Sequence, residues 1–283
     1  FGSFCALDHV DLNVRKGTIH ALLGENGAGK STLMNILYGF YRADEGEILL
    51  NGEPVEVKNP SVAIKHGIGM VHQHFMLVEN FTVTQNIMLG AETTKGFDVL
   101  DLESVKAQIR ELSERYGLYV DPDAKIQDVS VGMQQRVEIL KALYRGVDIL
   151  ILDEPTAVLS PSEVENLFAI INSLREQAAF IFISHHLEEI VEYTDRVAVM
   201  KDGSNVGDVM TRDVDIRILQ EMMVGREFST DFFFAQELRV PEDEVVLRLE
   251  GVTNKEVKDV SFSLRKGEIL GIAGLMGCGK EDL

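Results

Sequence analysis

The sequence is short of cysteine, of basic charge and of long apolar runs, and each shortage removes a class of protein. Its two cysteines, Cys5 and Cys278, make no metal-binding spacing and no disulfide framework, so a pair of free thiols in a reducing cytosol is expected. The most apolar stretch, residues 147–152, runs straight into Asp153 and Glu154 and is far shorter than the roughly 18–20 residues of a membrane span. Any membrane role must therefore come through a partner. No basic region followed by an apolar segment opens the chain, so no secretory signal is expected. Lys and Arg number 27 against 46 Asp and Glu, a formal net charge of −19. A surface that acidic repels phosphate backbones at long range and argues against nucleic acid as a partner. Nucleotides remain open, because a local nest of backbone N–H groups holds phosphate against an unfavourable global field.

What is present is a globular composition. Of 283 residues, 45% are hydrophobic and 26% charged, enough for one large or two ordinary domains. Shifting the chain by 250 positions sets Val10-Asp11-Leu12-Asn13-Val14-Arg15-Lys16-Gly17 on Val260-Ser261-Phe262-Ser263-Leu264-Arg265-Lys266-Gly267. The register carries on without a gap, placing Gly24–Lys30 on Gly274–Lys280, so both copies read as a strand followed by a glycine-rich turn. The expectation is a domain over residues 1–225, a linker over 226–244, and the truncated start of a second such domain over 245–283. The natural protein would then be a tandem. Within the first unit, continuous apolar strands at Thr18–Leu23 and Ile149–Leu152 alternate with helical periodicity at Lys30–Tyr38, Gln134–Tyr144 and Ser162–Arg175. Strands buried on both faces and alternating with helices predict an α/β fold.

Gly24-Glu25-Asn26-Gly27-Ala28-Gly29-Lys30-Ser31 fits G-x-x-x-x-G-K-[ST] and lies between a predicted strand and a helix, the context this phosphate loop requires. Glycines let the backbone wrap phosphate, and the helix that follows points its positive end at it. Lys30 would put its charge on the β- and γ-phosphates; Ser31, with Thr32 beside it, would offer a hydroxyl to Mg²⁺. Ile149–Glu154 is an apolar strand ending in two carboxylates, an arrangement that is costly unless something compensates it. A metal does so: Asp153 would hold Mg²⁺, and Glu154 would orient and polarise an attacking water. Ser130-Val131-Gly132-Met133-Gln134-Gln135-Arg136 reads alone as no more than a helix start capped by Ser130.

The order of these motifs over essentially the whole chain resembles the ABC ATPases. The phosphate loop comes first, then Gln73, Ser130–Gln134, Ile149–Glu154 and His185, at the family's successive landmarks. The resemblance implies a P-loop NTPase core with a helical signature subdomain and an N-terminal antiparallel β part. It implies ATP and Mg²⁺ as ligands, Gln73 as a link between Mg²⁺ and a coupling interface, and His185 as a γ-phosphate sensor. Ser130 and Gly132 would close over the nucleotide of another domain. Phe1, with Phe4 as the fallback, would stack on adenine. His72, His74 and His186 are expected to be simple surface polars. Two features depart from the pattern. Val131 and Met133 replace the common Gly and Gln, and Ala157-Val158-Leu159-Ser160 lacks the usual closing Asp. Ser160-Pro161-Ser162-Glu163 looks instead like a capping box with Pro at the first helical position.

Among relatives of this type, DNA-repair ATPases carry a long coiled coil between phosphate loop and signature, and ribosome-binding ones a long charged linker. The spacing here matches neither. The tandem layout and Met223-Val224-Gly225-Arg226 resemble importers of sugars and nucleosides. That resemblance implies transmembrane permease subunits and the second nucleotide-binding domain as partners. It implies an extracytoplasmic binding protein as an indirect one, and a place on the cytoplasmic face of the membrane. In the second glycine loop Glu281 stands where Ser31 stands in the first, which predicts one competent and one degenerate site.

Overall fold

The computed structural model describes residues 2, 4–73, 75–95, 99–225, 242–255, 257–273 and 279–280. Its contacts divide the chain into two compact units, residues 1–227 and 228–283.

The first unit begins with β1 (Ile19–Gly24), α1 (Lys30–Tyr38), a hairpin of β2 (Ile48–Leu50) and β3 (Glu53–Val55), α2 (Pro60–Lys65) and β4 (Ile68–Val71). Next come α3 (Val83–Met88), a short antiparallel pair of β5 (Thr94–Lys95) and β6 (Val99–Leu100), α4 (Leu102–Tyr116) and α5 (Val131–Tyr144). The unit closes with β7 (Ile149–Asp153), α6 (Pro161–Ser173), β8 (Ala179–Ile183), α7 (Leu187–Tyr193), β9 (Arg196–Lys201), β10 (Ser204–Met210) and α8 (Ile216–Val224). Six strands form one sheet in the order β10-β9-β1-β8-β7-β4. The five from β9 to β4 are parallel, and β10 is an antiparallel edge. This is the expected α/β class, with α3, α4 and α5 packed as a helical subdomain and β2–β3 as the antiparallel part.

Every residue of β1 and β8 is buried, as strands covered on both faces must be. Side chains alternate between the two faces. Leu150, Leu152, Phe180 and Phe182 join a core with α3, α4, α5 and α6. Ile151, Ile181 and Ile183 point the other way, onto Met34 and Tyr38 of α1 and Ala63 of α2. Ala21, Leu23, Val197 and Val199 pack with Ile190 of α7 and Leu219 of α8.

Two helix starts follow local chemistry. Ser130 Oγ accepts from Met133 N at 3.3 Å, so α5 begins at Val131, three residues ahead of where periodicity placed it. In α6, Pro161 takes the first position, and Glu163 Oε2 accepts from Ser160 N at 2.9 Å and from Ser160 Oγ at 2.8 Å.

In the second unit β11 (Val245–Val252) and β12 (Val260–Arg265) form an antiparallel pair. Residues 10–14, the counterpart of 260–264 in the repeat, show the same alternation of half-buried and exposed positions without forming a strand. Val10, Leu12 and Val14 pack on the core beside α1, outside any ladder. The strand expected ahead of both glycine loops is corrected for the second copy: it forms in the first as β1, whereas residues 268–273 carry no strand. The linker residues 226–241, most of the second glycine loop and Glu281 lie outside the described residues.

Candidate nucleotide site

Sheet order brings the site together. Along β1-β8-β7-β4, the strands end at Gly24, Ile183, Asp153 and Val71, so the four following loops emerge side by side at one edge. The carboxyl edge of a parallel sheet is where such folds bind ligands. Asp153 pairs with Ile183, and Ile183 with Leu22, so the acids stand level with the root of the phosphate loop. Two strand spacings, about 10 Å, separate them. A cleft of roughly 930 Å³ opens there, lined by Gly24, Asn26, Gly27, Gly29, Lys30, Ser31, Thr32, Gln73, Asp153, Glu154, His185, Phe4 and Met223, among others.

The loop accepts glycine at two points for different reasons. A Cβ on Gly24 would stand 2.4 Å from the Met200 carbonyl oxygen, so no side chain fits. Gly29, which precedes α1, has φ +101°, and a Cβ there would lie 2.8 Å from Leu7. The backbone therefore turns directly into α1, whose free N–H groups face the cleft. Lys30, the first residue of α1, is buried, and its Nζ donates to the carbonyls of Gly24 at 2.7 Å and Glu25 at 3.0 Å. Burial lowers the Lys30 pKa, against the attraction of Glu154 and Asp153. Ser31 and Thr32 follow in the first turn.

Across the cleft Glu154 is held from both sides. Gln73 Nε2 donates to Glu154 Oε2 at 3.4 Å, and His185 Nδ1 lies 3.0 Å from Glu154 Oε1. The Glu154 backbone is left-handed, with φ +46°, and its N–H donates to Ile183 O at 2.9 Å. That conformation is strained for a residue with a Cβ by about 1–3 kcal/mol. Burial, and then the charge of Glu154, push the Asp153 carboxyl above its ordinary range, with Lys30 opposing. Two adjacent carboxylates that line one cleft with the Ser31 hydroxyl fit a divalent cation.

Of the described residues expected to bind nucleotide or metal or to act on them, all but Ser130 and Gly132 line this cleft. Phe1 lies outside the described residues; the fallback, Phe4, lines the cleft and is 71% exposed. Ser130 and Gly132 face a separate hollow with Arg136, Glu163 and Asn166. Met223 of α8 reaches the cleft, although the sequence marked it only as part of a domain-end pattern. His186 is exposed as expected, and His74 lies outside the described residues. His72 is not a simple surface polar. Its ring meets Tyr38 edge-on and Phe40 obliquely, each at 6.0 Å, and burial lowers its pKa. Glu189 was also missed. Its Oε2 accepts from Thr156 Oγ1 at 2.8 Å and Ser184 Oγ at 3.3 Å, tying the turn after Glu154 to the strand exit before His185. Its only signal was its place four residues beyond His185.

Fold and cleft together define a P-loop α/β domain. Residues 7–157 match the sequence profile of the ABC transporter family. The nucleoside import ATP-binding protein NupA of Lactococcus lactis subsp. cremoris is 51% identical over 100% of this chain and 56% of its own length. The guanosine import ATP-binding protein NupO of Bacillus subtilis is 49% identical with the same coverage. The crystal structure of MJ1267, an ATP-binding cassette of an ABC transporter in its ADP conformation, superposes with a TM-score of 0.70 at 28% identity. That superposition covers 80% of this chain and 95% of MJ1267. This chain belongs to the ABC transporter family. It spans about half the length of the curated relatives it matches. Among the described residues no helix is long and apolar enough to cross a membrane.

Proposed function

We propose that the chain binds Mg-ATP at Gly24–Thr32 and hydrolyses it to power import of a nucleoside or sugar through a membrane permease. The observation that carries this reading is the convergence of Lys30, Asp153, Glu154, Gln73 and His185 on one cleft at the edge of one sheet. Lys30 and the N–H groups of the loop and of α1 receive the β- and γ-phosphates. Phe4, which lines the cleft, takes the adenine. Ser31, Asp153 and Gln73 would hold Mg²⁺, which supplies positive charge to the phosphates when bound.

Glu154 orients a water in line with the γ-phosphorus. The new P–O bond forms as the bond to the bridging oxygen of ADP breaks, and the water's proton moves toward the Glu154 carboxylate. His185 and Gln73 hold that carboxylate in place from either side. Ser130 and Gly132, set apart in their own hollow, act on a nucleotide held by another domain. The repeat at an offset of 250 and the greater length of the relatives support a second domain in the same natural protein. The relatives named for nucleoside and guanosine import support that cargo. On this reading an extracytoplasmic binding protein delivers it, and the chain lies peripherally on the cytoplasmic face.

The test is the intact protein reconstituted with its permease in vesicles. Nucleoside uptake that depends on Mg-ATP, and is lost in Lys30→Ala, is expected. Uptake unaffected by that substitution would overturn the assignment.

A further inference from the structure

Gln73 touches Glu154 through one long hydrogen bond of 3.4 Å, so its effect depends on how firmly its loop is held. On one side the ring of His72 packs against Tyr38 and Phe40. On the other side the loop is gripped by α5. Glu138 Oε1 accepts from Met76 N at 2.9 Å, and Lys141 Nζ donates to Met76 O at 3.2 Å. Glu138 Oε2 lies 3.6 Å from Lys141 Nζ, so the two side chains close a ring on both polar groups of one residue's backbone.

Glu138 is only 5% exposed, and a carboxylate taken that far out of water is costly unless it is fully partnered. The Met76 side chain is 62% exposed, so the grip does not serve to bury it. What the grip fixes is the path of the backbone three residues beyond Gln73. One turn earlier on the same helix, Gln135 Nε2 donates to Pro155 O at 2.7 Å, the residue after Glu154. Thus α5, whose N-terminus carries Ser130, grips both segments whose side chains meet at the Gln73–Glu154 bond.

We infer that Glu138, assisted by Lys141, is a positioning residue that holds the Met76 backbone and so sets Gln73 against Glu154. The inference rests on the ATPase reading above for its kinetic consequence and on geometry alone for the grip.

The experiment uses the intact protein with Glu138→Ala, Glu138→Gln, Lys141→Met, Gln73→Ala and the double variant Glu138→Ala/Gln73→Ala. Glu138→Ala is expected to lower kcat for Mg-ATP by about tenfold to a hundredfold, the scale of a misplaced reacting group, with little change in KM. Gln keeps an acceptor for Met76 N, so Glu138→Gln should restore most of the rate. In the Gln73→Ala background, removing Glu138 should have almost no further effect, because the residue acts through Gln73. Hydrogen exchange supplies a readout independent of turnover. The Met76 amide should exchange faster in Glu138→Ala and keep its protection in Gln73→Ala.

Additive losses in the double variant, or an unchanged Met76 amide, would overturn the inference. If Glu138→Ala does not fold, Lys141→Met carries the same test, with a smaller drop in kcat that also vanishes in the Gln73→Ala background. A wild-type protein without Mg-ATP turnover, in which Glu138→Ala still releases the Met76 amide, would sink the ATPase reading and leave the grip standing.

Discussion

The two walls of the cleft are built in opposite ways. The phosphate wall is one continuous segment, Gly24 to Thr32, whose shape follows from glycines and from the start of α1. The acid wall is assembled from Gln73, Asp153, Glu154 and His185, contributed by the exits of three different strands. Local chemistry shapes the first, and sheet order assembles the second. On the proposed function the first wall binds, and a single substitution, at Lys30, should cost most of that binding. The second divides its work among residues whose losses should separate.

The largest separation is expected from Glu154→Gln. The amide keeps the size of the side chain but gives up the proton acceptor, so turnover should fall by about 10²–10⁴-fold while Mg-ATP binding persists. Steady-state hydrolysis beside nucleotide-induced melting shifts measures both, and wild-type turnover would remove Glu154 from the chemistry. On the other wall, a ligand at 100 times its Kd stabilises by about 2.7 kcal/mol. For a unit of this size that raises the Tm by roughly 5–10 °C. Lys30→Ala should lose most of that rise, and a full rise in the variant would contradict the assignment of the phosphate wall.

Phe4→Ala should weaken ATP binding by about 1–3 kcal/mol if the ring stacks on the base, and should leave inorganic triphosphate unaffected. Equal weakening of both ligands, read by calorimetry, would take Phe4 off the base. The smallest effect is a gain. Because the Asp153 pKa is raised, its contribution to the nucleotide-free fold is favourable at low pH and is lost as pH rises through that raised value. Asp153→Asn should therefore melt a few degrees higher than wild type at neutral pH in chelator, about 2–4 °C for each kcal/mol relieved. That advantage should shrink as the pH is lowered, and Mg²⁺ should no longer promote ATP binding. A lower Tm in Asp153→Asn at neutral pH would show that the charge is compensated within the fold.

Legibility divides along the same line. Lys30 declares itself because its partners, the carbonyls of Gly24 and Glu25, lie within a few residues, and Gly24 and Gly29 because their spacing ahead of Lys30 marks the loop, although the atoms that exclude a side chain there belong to the distant Met200 and Leu7. Asp153 and Glu154 declare themselves because charges at the end of a buried strand need a reason. Gln73 and His185 carry no local signal. They stand out only through a family pattern, since what gives them meaning is the contact with Glu154, 81 and 31 positions away in sequence. His72 reads in sequence as a surface polar because its ring partners, Tyr38 and Phe40, belong to the end of α1 and the turn after it. The repeat misleads in the other direction. Residues 268–273 match the β1 segment in sequence position, but β1 is a strand because β8 and β9 supply its ladders, and a matching sequence alone does not supply one.

The left-handed backbone at Glu154 sets stability and activity against each other under selection. Glycine and asparagine are at ease at φ +46°, whereas glutamate is not, so the residue that this position prefers on conformational grounds is one that abolishes its chemistry. In a library randomised at position 154, glycine and asparagine should rise in a screen for resistance to heat and vanish in a screen for Mg-ATP turnover. Drift toward greater robustness is thus opposed at this site by use alone. An unused copy of such a domain should shed its glutamate early.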